Sequence, residues 1–545
     1  MKILGISGYH DSSVALIENG KVICYLKEER LSRLKRDGYP LKSCNFVLEN
    51  YDVKHIVFTS PFPDENLFRL YLSKFGNYEI HNYNHRHHLC HASNSFYNSG
   101  FDRCLVFVID RNGSIVDDVL RESETIFYCS YPSNIIPLHK NYWVLNEKND
   151  TNNGRINTIK NLRENEKFSF NADSNMSIVK VYESATTLIG QHPLDNGKTM
   201  GLSSYGKDSE SIELFYNNRP IDTLFINDRF NVKATAPITL RYDHIDKITQ
   251  EITKDNYQFY ADYAYQVQNQ TQKQVEIMVG EWIEKTGIKN VCITGGYGLN
   301  VVSNENLLKC FPDIKFYFEP LADDSGNSIG AAKHLYYELT QDKTINKQTH
   351  TFYHGIKKDL QNVGKSCTIQ DIAKMISEGK TVAVMNGLAE AGPRALGNRS
   401  ILFDARNPNA KDIVNRIKNR EWYRPFAGMI LEEYFQDYFI THGLTQSRNM
   451  TVSFDCKKSD LIPGVIHVDN SCRIQTVNKN ISHIYLLLNE FMRITNCPVL
   501  LNTSFNLAGE PLVETQEDAI RCFENSGLNV LWFPEINKCL IKEEE

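Results

Sequence analysis

The chain has 545 residues, 41% of them hydrophobic and 23% charged, with a formal net charge of −6. That length exceeds a single hydrophobic core and implies two or more domains, and the composition excludes a wholly disordered or fibrous chain. The mild acidity excludes a global attraction to polyanions, while thirteen cysteines without a C-x-x-C pair suit neither a disulfide framework nor a thiolate zinc site and read as reduced and mostly buried.

Met1 leads into KILGISGYH, which has no basic n-region, no long apolar h-region and no cleavage site, and no later run is long enough to span a bilayer. A cytoplasmic protein without a membrane partner is expected. The segment VALIE-NG-KVICYL, residues 14–26, sets Asn19-Gly20 between two apolar strands, a strong hairpin signal. In HHLCHASNSF, His87 and His91 are four residues apart and share one helical face, as two imidazoles gripping one ion require. His85 and His88 crowd the same segment. CLVFVID, residues 104–110, is a buried strand with Asp110 at its carboxyl end, where α/β sheets place ligands. The polar stretch from Asn146 to Ser177 reads as a surface excursion or an extra hairpin.

Further on, GKTMGLSSYG (197–206) fits a phosphate-facing turn, and residues 260–285 read as a helix. The strand NVCITGG runs into TGGYGLN, where Gly295, Gly296 and Gly298, followed by Asn300, let backbone N–H groups approach the phosphates of a nucleotide. In DDSGNSIGAA, Asp324 opens a helix, either as its N-cap or as a second carboxylate for the histidine pair. Two histidines with two carboxylates suit Fe²⁺, Mn²⁺ or Zn²⁺ better than Ca²⁺. The aperiodic polar run from Glu338 to His354 is the linker candidate.

Beyond it, TVAVMNG and PVLLNTSF read as strands, so the alternation along the whole chain is α/β. GPRALGNRS carries Arg394 and Arg399, REWYRPF carries Arg420 and Arg424, and NTSFN offers Ser504, together an oxyanion cradle suited to bidentate phosphate contacts. HVDNSCRIQTV adds His467, Asp469 and Arg473. There is no G-x-S-x-G elbow, no H-E-x-x-H and no cysteine in a nucleophile motif, so covalent acyl-enzyme chemistry is not expected.

In their order, GYHDSS, EERLSRLK, HHLCHAS, GKTMGLSSYG, TGGYGLN, DDSGNSIGAA, GPRALGNRSIL, YRPF, HVDNSCRIQT and LLNTSFNLAGEPLV resemble the carbamoyltransferase family of the nodulation and tobramycin type. The resemblance implies an actin-like ATPase (ASKHA) domain, residues 1–345, followed by a smaller YrdC-like α/β domain, residues 346–545. It implies carbamoyl-adenylate formation from carbamoyl phosphate and ATP, with Mg²⁺ accompanying the nucleotide, and passage of the carbamoyl group to an acceptor hydroxyl. By this resemblance His87, His91, Asp110 and Asp324 hold an iron-type ion, while Arg394, Lys418, Arg424 and Ser504 bind carbamoyl phosphate and nucleotide. His10, Asp11 and Lys35 fall where acceptor and carbamoyl group meet, with His10 or Asp11 as proton acceptor. Dimerisation is likewise a family-level expectation.

Two departures stand out: DRNGSIVDD where the family writes a D-G-x-G-E type loop, which puts Arg111 beside Asp110 and could suit an anionic acceptor, and S-S-Y-G in place of A-P-Y-G. The acceptor is expected to be a small molecule such as a sugar or antibiotic, or a hydroxymethylated base such as 5-hydroxymethylcytosine. For nucleic acid, Lys160, Arg163 and Lys167, together with Arg33, Lys35 and Arg36, are the basic residues to consider. The competing reading is an actin-like sugar kinase or ATPase with a regulatory module, which leaves GPRALGNRS unexplained; a non-catalytic nucleotide sensor is a third.

Overall fold

The computed structural model describes residues 1–59, 65–145, 152–173, 177–208, 213–216, 219–220, 223–225, 235–237, 252–346 and 353–542. The fold is mixed α/β and falls into two units: Met1–Ile56, Pro61–Ile80 and Gln348–Glu545 form one, Val57–Ser60 and His81–Lys347 the other. No helix among the described residues is long and apolar enough to cross a membrane.

The first unit opens with an antiparallel meander, Lys2–Ser7, Ser13–Glu18 and Lys21–Lys27, which is part of a five-stranded sheet. Its tight turn is at Asn19-Gly20, both at positive φ (50° and 76°), the conformation for which Asn-Gly is the favoured pair. The short helix Glu28–Ser32 that follows is tied to the far end of the sequence. Arg30 donates to the carbonyls of Glu390 and Gly392 at 3.0 and 3.1 Å, and Arg33 to those of Leu512 and Pro511 at 2.7 and 3.0 Å.

The rest of this unit is built on a nine-stranded sheet whose middle is Val382–Met385, Arg399–Asp404, Val499–Ser504 and Ala427–Leu431. The apolar runs VAVM and AGMIL are buried along their whole length, as strands covered on both faces must be. At one edge Cys367 and Cys539 form a disulfide with Cα atoms 5.9 Å apart, against the expectation that every cysteine is reduced. The register of Lys365–Ser366 on Lys538–Ile541 brings them together across a separation of 172 residues that no local spacing reveals. The other eleven are free and, Cys310 apart, buried.

The second unit centres on a seven-stranded sheet in which Arg103–Ile109 is flanked by Asn290–Thr294 in parallel and Leu120–Ser130 antiparallel. Helix His87–Ser99 packs on helix Asn327–Thr340 at a glycine: a Cβ on Gly330 would lie 1.9 Å from the carbonyl oxygen of Cys90. The helix expected at 260–285 runs over Tyr257–Thr286. Within the polar stretch from Asn146 to Ser177, the described residues form a helix, Asn152–Asn165, and a strand, Ser169–Asp173, rather than a hairpin. That strand pairs in parallel with Asn134–Val144, and a parallel partner needs a crossover, which the helix provides.

Candidate functional site

In the second unit, helix His87–Ser99 projects His87 and His91 from one face, Asp110 follows the strand Arg103–Ile109, and Asp324 begins a short turn of 3-10 helix before Asn327–Thr340. The four side chains expected to share an ion converge, each offering one donor atom, all within 4.8 Å of one another. His87 Nε2 stands 3.2 Å from His91 Nε2, 3.3 Å from Asp110 Oδ2 and 3.4 Å from Asp324 Oδ1, and His91 Nε2 is 3.3 Å from the same Asp324 oxygen. Donors bound to one ion at about 2.0–2.2 Å stand roughly 3.0–3.4 Å apart in tetrahedral or octahedral arrangement, so the residues present fit a divalent metal. Asp324 is not at a helix N-cap position: Asp323 precedes the 3-10 turn and Gly326 precedes the helix.

Burial favours a neutral His87, but Asp324 and then Asp110 outweigh it and lift the imidazole to about 10; Asp110 is held well below the usual carboxylate range, against its own burial, mainly by His87. The pair therefore carries a charge distribution that a cation in the same position would replace. Gly296 N–H donates to Asp110 Oδ1 at 3.0 Å and Asn112 N–H to Oδ2 at 3.3 Å, fixing the carboxylate. Here the glycine segment serves the aspartate: Gly295, at φ 81°, has Ile109 O 2.4 Å from where a Cβ would stand. Asn300 caps helix Val301–Cys310 through Ser303 N–H and exchanges hydrogen bonds with Gln268.

His88, on the same helix, turns away to Thr125 at 2.7 Å, and burial lowers it to about 4. Asn327, one helical turn past Asp324, places Nδ2 3.2 Å from His91 Nε2. It went unnoticed in the sequence because an Asn after S-G reads as turn chemistry. Arg111 donates through Nε to the buried Glu183 at 2.7 Å, and Lys180 holds the other oxygen at 2.9 Å. Burial drops the Lys180 ammonium to about 8 despite Glu183.

In the first unit, His10 Nδ1 lies 2.8 Å from Asp11 Oδ2, and Lys27 donates to Asp11 Oδ1 at 3.1 Å. Lys27, buried and unmarked in the sequence, thus meets one Asp11 oxygen while His10 meets the other, so the carboxylate links the imidazole to a buried ammonium. Lys35 is exposed between helix Glu28–Ser32 and helix Leu41–Asn50. Arg33, considered for a basic surface, spends its donors on carbonyls, and Lys160 pairs with Glu164 at 3.8 Å.

The C-terminal cationic residues separate into two kinds. Arg399 is wholly buried, and its terminal nitrogens donate to the carbonyls of Asn386, Asn398, Gly387 and Glu514 at 2.8–3.0 Å, a brace for the loop that holds Arg394. Glu390 Oε1 completes it by accepting the N–H groups of Leu396, Asn398 and Arg399. Lys418, by contrast, reaches Ser504 and Asn506, with Nζ 3.3 Å from Ser504 Oγ and 3.1 Å from Asn506 Oδ1. Burial pushes Lys418 and Arg420 well below their ordinary values and Arg473 down to about 10, and mutual repulsion among Arg420, Arg424 and Lys418 adds to it. Crowded cations that repel one another are stabilised by an anion placed among them.

The family model described as Carbamoyltransferase N-terminus matches residues 2–75 and 70–333, and Carbamoyltransferase C-terminus matches residues 373–542. The chain is 28% identical to the nodulation protein NolNO of Sinorhizobium fredii over 96% of this chain and 78% of that one, and 27% identical to the Synechocystis protein sll1178 over 97% and 95%. Among solved structures it is similar to T. kodakarensis HypF at 13% identity and TM-score 0.36, covering 63% of this chain and 50% of that one. On the two family models, which together span most of its length, the chain belongs to the carbamoyltransferase family and is an enzyme of that class.

Proposed function

We propose that this carbamoyltransferase makes carbamoyl-adenylate from carbamoyl phosphate, water and ATP, hydrolysis to carbamate releasing phosphate and adenylation of the carbamate releasing pyrophosphate, and passes the carbamoyl group to an acceptor hydroxyl with release of AMP. The observation that carries the reading is the convergence of His87, His91, Asp110 and Asp324 with donor atoms at metal-ligand spacing. Lys418, Arg424 and Arg420, with Ser504, hold the anions of carbamoyl phosphate and ATP, and Arg399 with Glu390 shapes the Arg394 loop without touching substrate.

His87, His91, Asp110 and Asp324 hold the divalent ion, for which Fe²⁺, Mn²⁺ and Zn²⁺ all suit the donor set. When bound, such an ion supplies a Lewis acid for the carbamoyl carbonyl. His10 or Asp11 takes the proton of the attacking hydroxyl, the two side chains being joined at 2.8 Å and Lys27 donating to Asp11. The acceptor is a hydroxyl-bearing small molecule or a hydroxymethylated base, and the protein acts in the cytoplasm.

The test is mass spectrometry on purified protein given ATP, carbamoyl phosphate and Fe²⁺, with hydroxylated small molecules and DNA containing 5-hydroxymethylcytosine offered in parallel. A carbamoyl mass gain in one pool names the acceptor class. Pyrophosphate release that ignores carbamoyl phosphate sinks the reading.

A further inference from the structure

The charge around Glu183 does not balance. Its side chain is 1% exposed and takes two cations, Arg111 on one oxygen and Lys180 on the other. Arg111 meets Glu183 through Nε on Oε1 alone, with Lys180 on Oε2, rather than in the bidentate manner that would use two guanidinium nitrogens. Only Nε of Arg111 is spent; among the described residues its two terminal nitrogens have no hydrogen-bond partner, and the side chain remains 21% exposed. Lys180 in turn is pressed against the Trp143 ring, 4.8 Å from its centroid, so its position is fixed by packing as well as charge.

The backbone of Arg111 adjoins one of the four converging side chains. Arg111 is the next residue after Asp110, one Cα step of about 3.8 Å along the chain, in a loop held tight by Asn112 N–H on Asp110 and by Gly113 N–H on Glu122 O at 2.8 Å. Gly113 admits no side chain: a Cβ there would lie 2.5 Å from His88 Nε2. The guanidinium is thus anchored at one nitrogen on Glu183, on a residue whose backbone adjoins Asp110, with a fork of donors left for a ligand.

We infer that Arg111 is a specificity-determining residue that reads a phosphate on the hydroxyl-bearing acceptor, with Glu183 and Lys180 as positioning residues. This rests on the proposed transfer reaction and names the acceptor class: an alcohol whose hydroxyl stands near a phosphate group, carried by a small phosphomonoester or by a nucleic-acid phosphodiester.

The experiment measures binding, which does not depend on carbamoyl transfer. Full-length protein is titrated with glucose, glucose 6-phosphate and a short oligothymidylate, in wild type, Arg111→Gln, Arg111→Lys and Arg424→Gln. Wild type favours one of the phosphate-bearing probes over glucose, and Arg111→Gln weakens that probe roughly 10- to 100-fold, the worth of one charge-assisted bond. Arg111→Lys restores part of the preference, and Arg424→Gln retains it, which separates this site from the C-terminal cations. The probe that binds tells the monoester from the diester source. Equal or absent binding of all three probes, or a preference unchanged in Arg111→Gln with unaltered thermal melting, overturns the inference. Carbamoyl-phosphate-dependent pyrophosphate release, measured on the same preparations, shows separately whether the proposed reaction stands.

Discussion

His87 and His91 face each other through their Nε2 atoms at 3.2 Å, both buried and both within 3.4 Å of the same Asp324 oxygen. Two imidazole nitrogens at that distance can share one proton or one cation but cannot both carry a proton between them. Asp324→Ala is therefore expected to abolish bound metal, read by elemental analysis, and to abolish carbamoyl transfer, while carbamoyl-phosphate-dependent pyrophosphate release continues. Loss of both halves together would mean the cluster serves the fold rather than transfer.

Asn327 touches His91 and leaves the four proposed donors intact. Its Nδ2 stands against the same Nε2 lone pair that a metal would take, so Asn327→Ala, which removes this competitor, should tighten metal binding. Metal-buffer titration decides it, and unchanged affinity would reduce Asn327 to a packing residue.

Lys418 is buried against Ser504 and Asn506 with its ammonium already destabilised. Lys418→Met keeps the volume and removes the charge. Pyrophosphate release should fall by roughly 10² or more, with melting temperature preserved or raised. A variant with normal release would show that the arginines suffice.

Behind the metal-ligand helix, Lys333 donates to Asn98 at 2.6 Å and Asn98 to Glu319 at 3.2 Å, all buried. Burial lifts the Glu319 carboxyl and drops Lys333 to about 8. Lys333→Met strands the carboxylate and should cost about 3–5 kcal/mol; adding Glu319→Gln should recover much of it in denaturant titration. Additive losses in the double variant would refute the coupling.

His483 is neutral by construction: Nε2 lies 3.0 Å from Gly397 O, Nδ1 lies 3.3 Å from the Asn386 amide, and burial lowers it to about 4 from 6.5. The unfolded chain then binds the extra proton between those values, so stability is full above pH 6.5 and falls as pH drops toward 4, by about 3 kcal/mol. His483→Gln should flatten that slope in melting scans, and an unchanged slope would assign it to other groups.

The convergence of His87, His91, Asp110 and Asp324 leaves local signals: an i, i+4 pair on a helix and carboxylates at a strand end and a helix start. The buried strands were legible for the same reason, as continuous apolar runs. What the sequence hid depends on distant register. Cys367 and Cys539 meet only through strand pairing, and Glu183 is one of many glutamates until it lies under Arg111. Arg399 shows the same dependence: beside glycines it reads as a phosphate ligand, while its terminal nitrogens donate to carbonyls that no motif announces.

Arg30 and Arg33 reach carbonyls more than 350 residues away, at Glu390, Gly392, Pro511 and Leu512. A gene split at the polar run near residue 350 would place these arginines and their acceptors on different polypeptides. The carboxyl-terminal fragment would lose the braces beside its Arg394 loop and, with them, part of its shape as an independent fold. Co-expressed halves would have to find each other again through this seam, which makes the arrangement resistant to domain shuffling and well suited to complementation by fragments.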